Sequence, residues 1–331
     1  MNNVKGFLKE YAIGAFLLLI IVIMSILKPT IFLTVGNFVN ILDQVAINGI
    51  LTVGILFVML AQGIDLSVGG MMAFSGVVGA KIITVFGIPY PLAVIVVLII
   101  CVLVGCLQGY IIVNTGIFPM IGTLAMMGVL GGAAYVISKG QYIIFPDNMD
   151  ISFLGQGRIG GLIPVSVLVL LIVLVVASIV LNKTFFGRYF YLVGSNSEAA
   201  RLSGIQTKLV QIVSYGISGL FASFAGIIYM SRLGSGSAQI YTGGWEMSCL
   251  TAAVIGGVSL MGGEGKVIKA FIGVLIIGVL TTSMIMLGID AYAQKIVTGI
   301  VFLAAVCFDG ISKQMATNAK MKIEEPAKQA G

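Results

Sequence analysis

The sequence contains no histidine and few charged residues. Histidine is the commonest general base near neutral pH and the commonest metal ligand, so its absence counts against hydrolytic and metal-dependent chemistry. Charged residues make up 9% of the 331 residues, against roughly a quarter in an ordinary soluble domain. Such a chain cannot coat a globule in water, and we predict an integral membrane protein.

The chain also lacks other groups that would make it an enzyme. Its four cysteines lie in apolar runs without metal-ligand spacing, so we interpret them as buried small residues and predict no metal site. Lys266 follows glycines, but Val267 stands where the phosphate-binding loop of an ATPase needs serine or threonine. We expect no catalytic residue and no bound cofactor, and any ATP-driven work must come from another polypeptide.

Long apolar runs are abundant: 59% of the residues are hydrophobic and the mean hydropathy is +1.14. A helix needs about 20 apolar residues to cross a bilayer. We therefore predict an all-α polytopic bundle of about ten transmembrane helices, some short or broken, within one domain at 1–312. The polar tail, 313–331, is predicted to be disordered. The runs cover 13–27, 47–61, 66–86, 92–113, 119–137, 164–181, 210–230, 247–261, 270–287 and 295–308, of which those near 47 and 247 could be broken or half helices.

The basic residues indicate orientation. If the N-terminus is cytoplasmic, ten spans place 12 of the 18 lysines and arginines on the cytoplasmic side, as the positive-inside rule expects. We predict a multi-pass protein of the bacterial inner membrane with both termini in the cytoplasm. The basic residues are scattered rather than clustered with aromatics, which counts against nucleic-acid binding.

Two glycine-rich breaks interrupt apolar stretches. The first is QGIDLSVGG at 62–70, where a carboxylate at membrane depth is costly unless it is paired or capped. We favour Asp65 as the N-cap of the next helix, bonded to amides near Ser67 and Val68, over direct contact with a ligand. The second break is AVIGGVSLMGGEGKV at 253–267. The residues predicted to matter at the breaks are Gly63, Asp65, Ser67, Gly69, Gly256, Gly257, Gly262 and Gly263.

The segment 182–208 contains the main polar loop of the cytoplasmic side. Residues 197–203 predict a short helix capped by Asn196 or Ser197, with Glu198 and Arg201 one turn apart. The loop could be merely a solvated connection. A compact helix with small residues is also suited to insertion into a cleft on a soluble partner.

Four segments, matched in order across nearly the whole chain, carry a specific resemblance. They are GIDLSVG at 63–69, FGRYFYLVGSNSEAARLSGI at 186–205, AGIIYMSRLGS at 225–235 and GGVSLMGGEG at 256–265. Together they resemble the permease subunits of ribose-type sugar ABC importers. One such motif is weak, but four at similar spacing make chance similarity improbable.

The resemblance implies the partners and the mode of work. Such permeases pair as dimers, of identical or sister chains, within membrane lipid, and receive sugar from a periplasmic or extracellular binding protein. A cytoplasmic ABC ATPase that uses ATP and Mg²⁺ drives them. By the same resemblance, the coupling loop that docks in the ATPase comprises Asn196, Glu198, Ala199, Ala200, Arg201, Leu202, Ser203 and Gly204.

The sequence departs from the family pattern before the eighth run. Where relatives commonly have tyrosine, glutamate, leucine and aspartate, this chain has Trp245, Glu246, Met247 and Ser248. The lost aspartate puts the identity of the sugar in doubt. Trp245 could be an interfacial anchor or, less simply, part of a gate or of a contact with the binding protein.

The function that this sequence predicts is uptake of a monosaccharide, a ribose-like pentose or a hexose, by alternating access. A nucleoside or another small polar solute is the alternative cargo. An ion-coupled secondary transporter is less well supported, because paired intramembrane charges are lacking. Amides, hydroxyls and one carboxylate are the candidate contacts along the substrate path, although each could serve helix packing instead. They are Asn48, Gln62, Asn114, Thr123, Gln239 and Glu246.

Overall fold

The computed structural model describes the backbone of residues 2–146, 151–308 and 310, with side chains from position 13 onward. The described chain is helical apart from short turns and four two-residue strands. The predicted tail at 313–331 lies outside the described residues. The helices before the inner loop are α1 (Asn2–Leu27), α2 (Pro29–Phe32), α3 (Val35–Leu60), α4 (Val68–Phe86), α5 (Tyr90–Thr115), α6 (Pro119–Ser138), α7 (Phe153–Gln156) and α8 (Val165–Lys183).

The second half of the chain continues with the same pattern of long and short helices. It comprises α9 (Phe185–Ser195), α10 (Ser197–Leu202), α11 (Thr207–Leu233), a 3-10 helix (Ala238–Gly243), α12 (Trp245–Ile255), α13 (Val267–Met286) and α14 (Ala291–Phe308). Strand β1 (Ile143–Ile144) pairs antiparallel with β4 (Ser235–Gly236), and β2 (Arg158–Ile159) pairs with β3 (Ile163–Pro164).

Eight helices of the described chain are long and apolar enough to cross a bilayer. They are α3, α4, α5, α6, α8, α11, α13 and α14, and the shorter apolar helices are Ile13–Leu27 within α1 and α12. At about 1.5 Å per residue, the 11 residues of α12 cross only about half of the hydrocarbon core. The prediction of an all-α polytopic protein is confirmed, and the run near 247 is a half helix.

The run near 47 is not a half helix, so that expectation was wrong. Helix α3 extends unbroken over 26 residues, with Thr34 as its N-cap. Its first half carries polar residues that hid it from a search for apolar runs. Asn37, for example, is buried and donates a hydrogen bond to the carbonyl oxygen of Phe32, so its cost in an apolar setting is offset.

Helices α3 and α11 form the centre of the bundle. Helix α11 packs against α3, α4 and α5, and α3 also contacts α8, α12 and α13. By contrast, most residues of α5 and α6 and the apolar window of α14 lie at the surface. Apolar surface of this extent suits contact with lipid rather than water.

Candidate functional site

Helix α10 stands at one end of the bundle, which we call the α10 end. Its N-cap is Asn196, whose side-chain oxygen accepts a hydrogen bond from the amide of Ala199 at 2.9 Å. The predicted cap at Asn196 or Ser197 is thereby resolved in favour of Asn196. Ala200 is buried against the bundle and Leu202 is 75% exposed. The helix thus presents a free face at a fixed position.

Glu198 and Arg201 form the predicted pair on the free face of α10. The Arg201 guanidinium donates to both carboxylate oxygens of Glu198, at 2.6 and 3.0 Å. Arg201 lowers the pKa of Glu198, and Glu198 raises the pKa of Arg201. Because both side chains are more than 60% exposed, the pair adds little to stability. Its charges remain available to a partner.

Helix α9, which the sequence analysis did not predict, connects α10 to the bundle. Its N-cap Thr184 accepts a hydrogen bond from the Gly187 amide, and Asn196 ends α9 while it begins α10. The two helices therefore meet at this residue, with no further linker between them. Tyr191 donates to the carbonyl oxygen of Gly265 at 3.0 Å, and burial raises the pKa of Tyr191.

Three backbone segments touch beside the end of α9, and we call this contact the glycine junction: residues 60–63, 194–195 and 262–265. The Gly263 amide donates to the Leu60 carbonyl at 3.1 Å. A Cβ added to Gly194 would overlap both the Leu60 carbonyl and the Gly263 amide. Gly263 has a φ of 71°, which favours glycine. The second glycine-rich break therefore packs directly against the first.

The first break begins where α3 ends in a Schellman motif. The Gln62 amide donates to Met59 at 3.1 Å and the Gly63 amide donates to Val58 at 2.9 Å, the pattern expected of that motif. Gln62 has a φ of 66° at the position that glycine normally occupies. The side chain of Gln62 is exposed, and the residue lines a cavity of about 190 Å³ together with Gln211 and Tyr215. Strain of this kind often marks a functional position.

Asp65 is buried in the first break, with 2% of its surface exposed. It caps the start of α4 in a different way from the one predicted. The N-cap position of α4 belongs to Ser67, not Asp65. One carboxylate oxygen of Asp65 accepts from the Ser67 amide at 2.8 Å, from the Ser67 hydroxyl at 2.6 Å and from Gln108 at 3.2 Å. The expected bond to Ser67 is therefore present, while Gln108 is a partner that the sequence analysis missed.

Gln108 of α5 and Tyr215 of α11 contact the first break from neighbouring helices. Within the described residues, Oε1 of the buried Gln108 has no hydrogen-bond partner. The Tyr215 hydroxyl lies beside Gly63, where a Cβ would be only 2.8 Å from it. Thr123 is fully buried and accepts from the Leu66 amide at 3.1 Å. No local pattern could reveal Gln108, since it lies 43 positions from its partner.

The other candidate path residues are spread along the bundle. Asn114 accepts from Lys208 at 3.1 Å, near where α11 begins. Gln239 accepts from the Tyr142 hydroxyl at 2.8 Å. Asn48 lies beside Cys249 of α12. The structure therefore places Gln62 and Thr123 at the first break, where Glu246 also lies beside Gly69, and a role in substrate passage stays a prediction for all six.

Glu246 lies in the first turn of α12 and is buried in the bundle. The residue is 8% exposed, and its Oε2 has no hydrogen-bond partner among the described residues. The same oxygen faces Gly69, where a Cβ would lie 2.7 Å away. Gly69 is in the first turn of α4, whose free amides carry partial positive charge. The carboxyl group thus lies beside the positive end of α4.

An ion pair that the sequence analysis did not predict joins three helices at the opposite end from α10. Arg232 of α11 donates to the Asp43 carboxylate at 2.6 Å and to the Asp43 carbonyl at 3.0 Å. Ser166 of α8 donates to the same carboxylate. The two charged side chains are 22% and 26% exposed. We call this cluster the Asp43 tie, because it fastens α3, α8 and α11 to one another.

These features define a class of protein: a polytopic helical membrane protein with broken helices in its interior and a rigid exposed helix at one end. Within the described residues, no group of three or more acidic or cysteine side chains is arranged to hold a metal ion. The class is that of a transport subunit.

Comparison with known proteins identifies the family. A family model described as "Branched-chain amino acid transport system / permease component" matches residues 37–306, so the chain belongs to that permease family. The chain is 41% identical over 299 residues to the ribose import permease of Bacillus subtilis strain 168, covering 90% of this chain and 91% of that protein. The ribose import permease of Escherichia coli strain K12 is 38% identical over 308 residues, covering 92% and 95%. The D-allose transport system permease of that strain is 33% identical over 308 residues, covering 93% of each chain.

No solved structure matches the chain. The family confirms the resemblance inferred from the four motifs. The chain is thus a multi-pass membrane subunit of an ABC importer and not an enzyme, and ATP hydrolysis belongs to a separate ATPase that acts with a substrate-binding protein.

Proposed function

We propose that this chain is the permease subunit of an ATP-driven importer for a monosaccharide, with a ribose-like pentose as its principal substrate. The relatives at 38% and 41% identity are ribose import permeases and span nearly the same length. The structural observation that carries the proposal is the direct path from the exposed helix α10, through α9 and the glycine junction, to the break at Gln62.

The proposed orientation puts the α10 end in the cytoplasm. This agrees with the excess of lysine and arginine on that side when both termini are cytoplasmic. The ATPase, with its ATP and Mg²⁺, then acts at α10, and the binding protein acts at the opposite end. A second permease chain, identical or a sister subunit, completes the path within the lipid. This chain itself binds no cofactor.

The proposed mechanism is alternating access driven from α10. Closure of the ATPase displaces α10, and the shared residue Asn196 passes the displacement to α9. The end of α9 touches the Leu60 carbonyl and the Gly263 amide through Gly194, so the strained end of α3 moves with it. A tightly packed contact of this kind changes between discrete arrangements and does not deform continuously. A change of arrangement can therefore close one end of the path and open the other.

Charge reversal at Arg201 tests the coupling assignment. In Arg201→Glu, two carboxylates would face one another on α10, and a partner that meets this face would encounter the wrong sign. We expect uptake to fall at least about tenfold, as for a lost charge contact at an interface, together with loss of the ATPase on purification. Transport of labelled ribose and co-purification measure the two effects.

Lys183→Glu provides the matched control, because Lys183 lies at the same end of the bundle but outside 196–204. The amount of each variant in the membrane fraction is compared with that of the unmodified protein. Normal uptake by Arg201→Glu at normal membrane levels would contradict the role of α10. Uptake without an ATPase, dependent on a sodium or proton gradient, would overturn the proposed function as a whole.

A further inference from the structure

A second cavity, distinct from the one at Gln62, lies between α12, α13 and α14. Its volume is about 440 Å³, within the roughly 300–1,000 Å³ typical of small-molecule sites. Thr281 of α13 lines it, 14 positions beyond Val267 and thus about 21 Å further along that helix. Since α13 begins next to the glycine junction, this cavity lies in the half of the bundle away from α10. Its polar lining residues are Ser248, Thr251, Thr281, Gln294, Lys295 and Thr298.

The lining offers both acceptors and donors of hydrogen bonds. Ser248 donates its proton to the Gly244 carbonyl at 3.4 Å, and Thr298 donates to the Gln294 carbonyl at 2.9 Å. The lone pairs of these hydroxyl oxygens remain as acceptors. The Gln294 amide group donates to the Ile289 carbonyl at 2.8 Å, which leaves its oxygen as a further acceptor.

Lys295 supplies the donors. The described residues form two ion pairs, and Lys295 belongs to neither. Lys295 is exposed near the start of α14, within electrostatic reach of the Glu246 carboxylate. The hydroxyls beside it are better met by water or a polar solute than by hydrocarbon tails. The polar lining therefore suits a hydrated or polar occupant.

The composition of the lining favours a neutral polyol. No carboxylate lines the cavity, which counts against a cation, and a single ammonium among hydroxyls and an amide is a weak match for a fully charged anion. A sugar hydroxyl both donates and accepts, so it fits the mixture of acceptors on α12 and α14 with the Lys295 donors. Phe302 adds an aromatic surface for the apolar face of a sugar ring.

We propose that the α12–α13–α14 cavity is a binding site within the permease for the monosaccharide in transit, occupied after the sugar leaves the binding protein. This inference rests on the proposed function and specifies where its substrate binds. Thr298, Lys295 and Ser248 then contribute to the choice of sugar, through hydrogen bonds to its hydroxyl groups.

The first experiment measures uptake of labelled ribose in proteoliposomes that contain the permease, the ATPase and the binding protein. In the double variant Thr298→Val/Lys295→Met, uptake should fall about tenfold, roughly the effect of one or two lost hydrogen bonds. Lys295→Gln keeps a donor and should retain more uptake than Lys295→Met. Thr84→Val is the control, because its hydroxyl also bonds the carbonyl four residues earlier but lies outside the cavity.

The second experiment does not depend on transport. Ser248→Cys is introduced into Cys307→Ser, which removes the one exposed native thiol among the described residues. The purified permease is then labelled with a water-soluble maleimide. Ribose should slow the labelling in proportion to occupancy of the cavity, whereas a sugar that the complete transporter does not import should not.

The outcomes separate the inference from the proposed function. If the unmodified transporter does not import ribose, the proposed function fails for that substrate. If it imports ribose and the double variant does so equally fast, the inference is overturned. Reactive Ser248→Cys protein that ribose does not protect also overturns it. Reduced uptake together with protection by ribose supports it.

Discussion

The two ends of the bundle are held together in different ways. At the α10 end, segments from three parts of the chain meet at the glycine junction mainly through backbone atoms, with the side chains of Gln62 and Ser195 beside the glycines. At the opposite end, the Asp43 tie joins α3, α8 and α11 through polar side chains. The α12–α13–α14 cavity leaves open space between its three helices. A contact made mainly between backbone atoms transmits displacement, whereas side-chain contacts can break and reform. The difference fits an end that is driven and an end that opens.

The largest effect on this difference between the two ends is expected from one methyl group added at the glycine junction. In Gly194→Ala, the new Cβ would overlap the Leu60 carbonyl and the Gly263 amide, which are backbone atoms and cannot turn aside. Overpacking of this kind costs about 1–3 kcal/mol. We expect a lower thermal midpoint and a loss of uptake larger than the loss of ATP hydrolysis, measured in the reconstituted transporter.

Gly128→Ala in α6 is the matched control, since a Cβ at Gly128 meets nothing within 4 Å. That variant should keep uptake and thermal midpoint, because alanine is favoured over glycine inside a helix. Equal behaviour of the two variants would show that the α10 end is no more tightly packed than the lipid-facing surface.

The Asp43 tie provides the next test, directed at the opposite end. In Arg232→Met, the Asp43 carboxylate keeps only the Ser166 hydroxyl as a partner, and an unpaired group of this burial costs about 1–3 kcal/mol. We expect a lower thermal midpoint in detergent. Arg232→Met combined with Asp43→Asn should recover part of the loss, because no unpaired charge remains.

This double-mutant comparison isolates the interaction between the two side chains. Additive effects would mean that Asp43 and Arg232 stabilise the protein independently and that no tie exists. Unlike Gly194→Ala, Arg232→Met should not separate ATP hydrolysis from uptake, because it leaves the path from α10 intact.

The local features of the α10 end could be predicted from the sequence, but its contacts could not. The cap at Asn196 and the pair Glu198–Arg201 depend on residues three positions apart, so short-range rules find them. The glycine junction brings together residues far apart in the chain, and glycine patterns alone do not say which segments meet.

The opposite end was harder to predict for a related reason. The search for apolar runs began the second helix near 47, whereas α3 begins at Val35. Asp43 interrupts the apolar pattern before 47, and only the structure shows that its partner is Arg232, 189 positions away. The partner of a polar residue inside a spanning helix can be predicted from the sequence only when it lies nearby in the chain.

The smallest effect is expected at the exposed pair Glu198–Arg201, and it separates a docking surface from a stabilising contact. Arg201 lowers the pKa of Glu198 below its ordinary value of 4.5, so Glu198 is ionised in the folded and the unfolded chain at neutral pH. A lowered folded pKa gives a contribution that is present above the unfolded pKa and is lost as pH falls through the folded one. Between about pH 5 and 8 the pair therefore adds no pH dependence, and for two exposed groups the contribution itself is small.

Glu198→Gln should accordingly leave the thermal midpoint unchanged while it weakens binding of the ATPase, as titrated with the purified partner. A lower thermal midpoint in Glu198→Gln would mean that α10 is held by its own ion pair rather than by its packing on α9, and the rigid end of the comparison would then depend on side chains as the other end does.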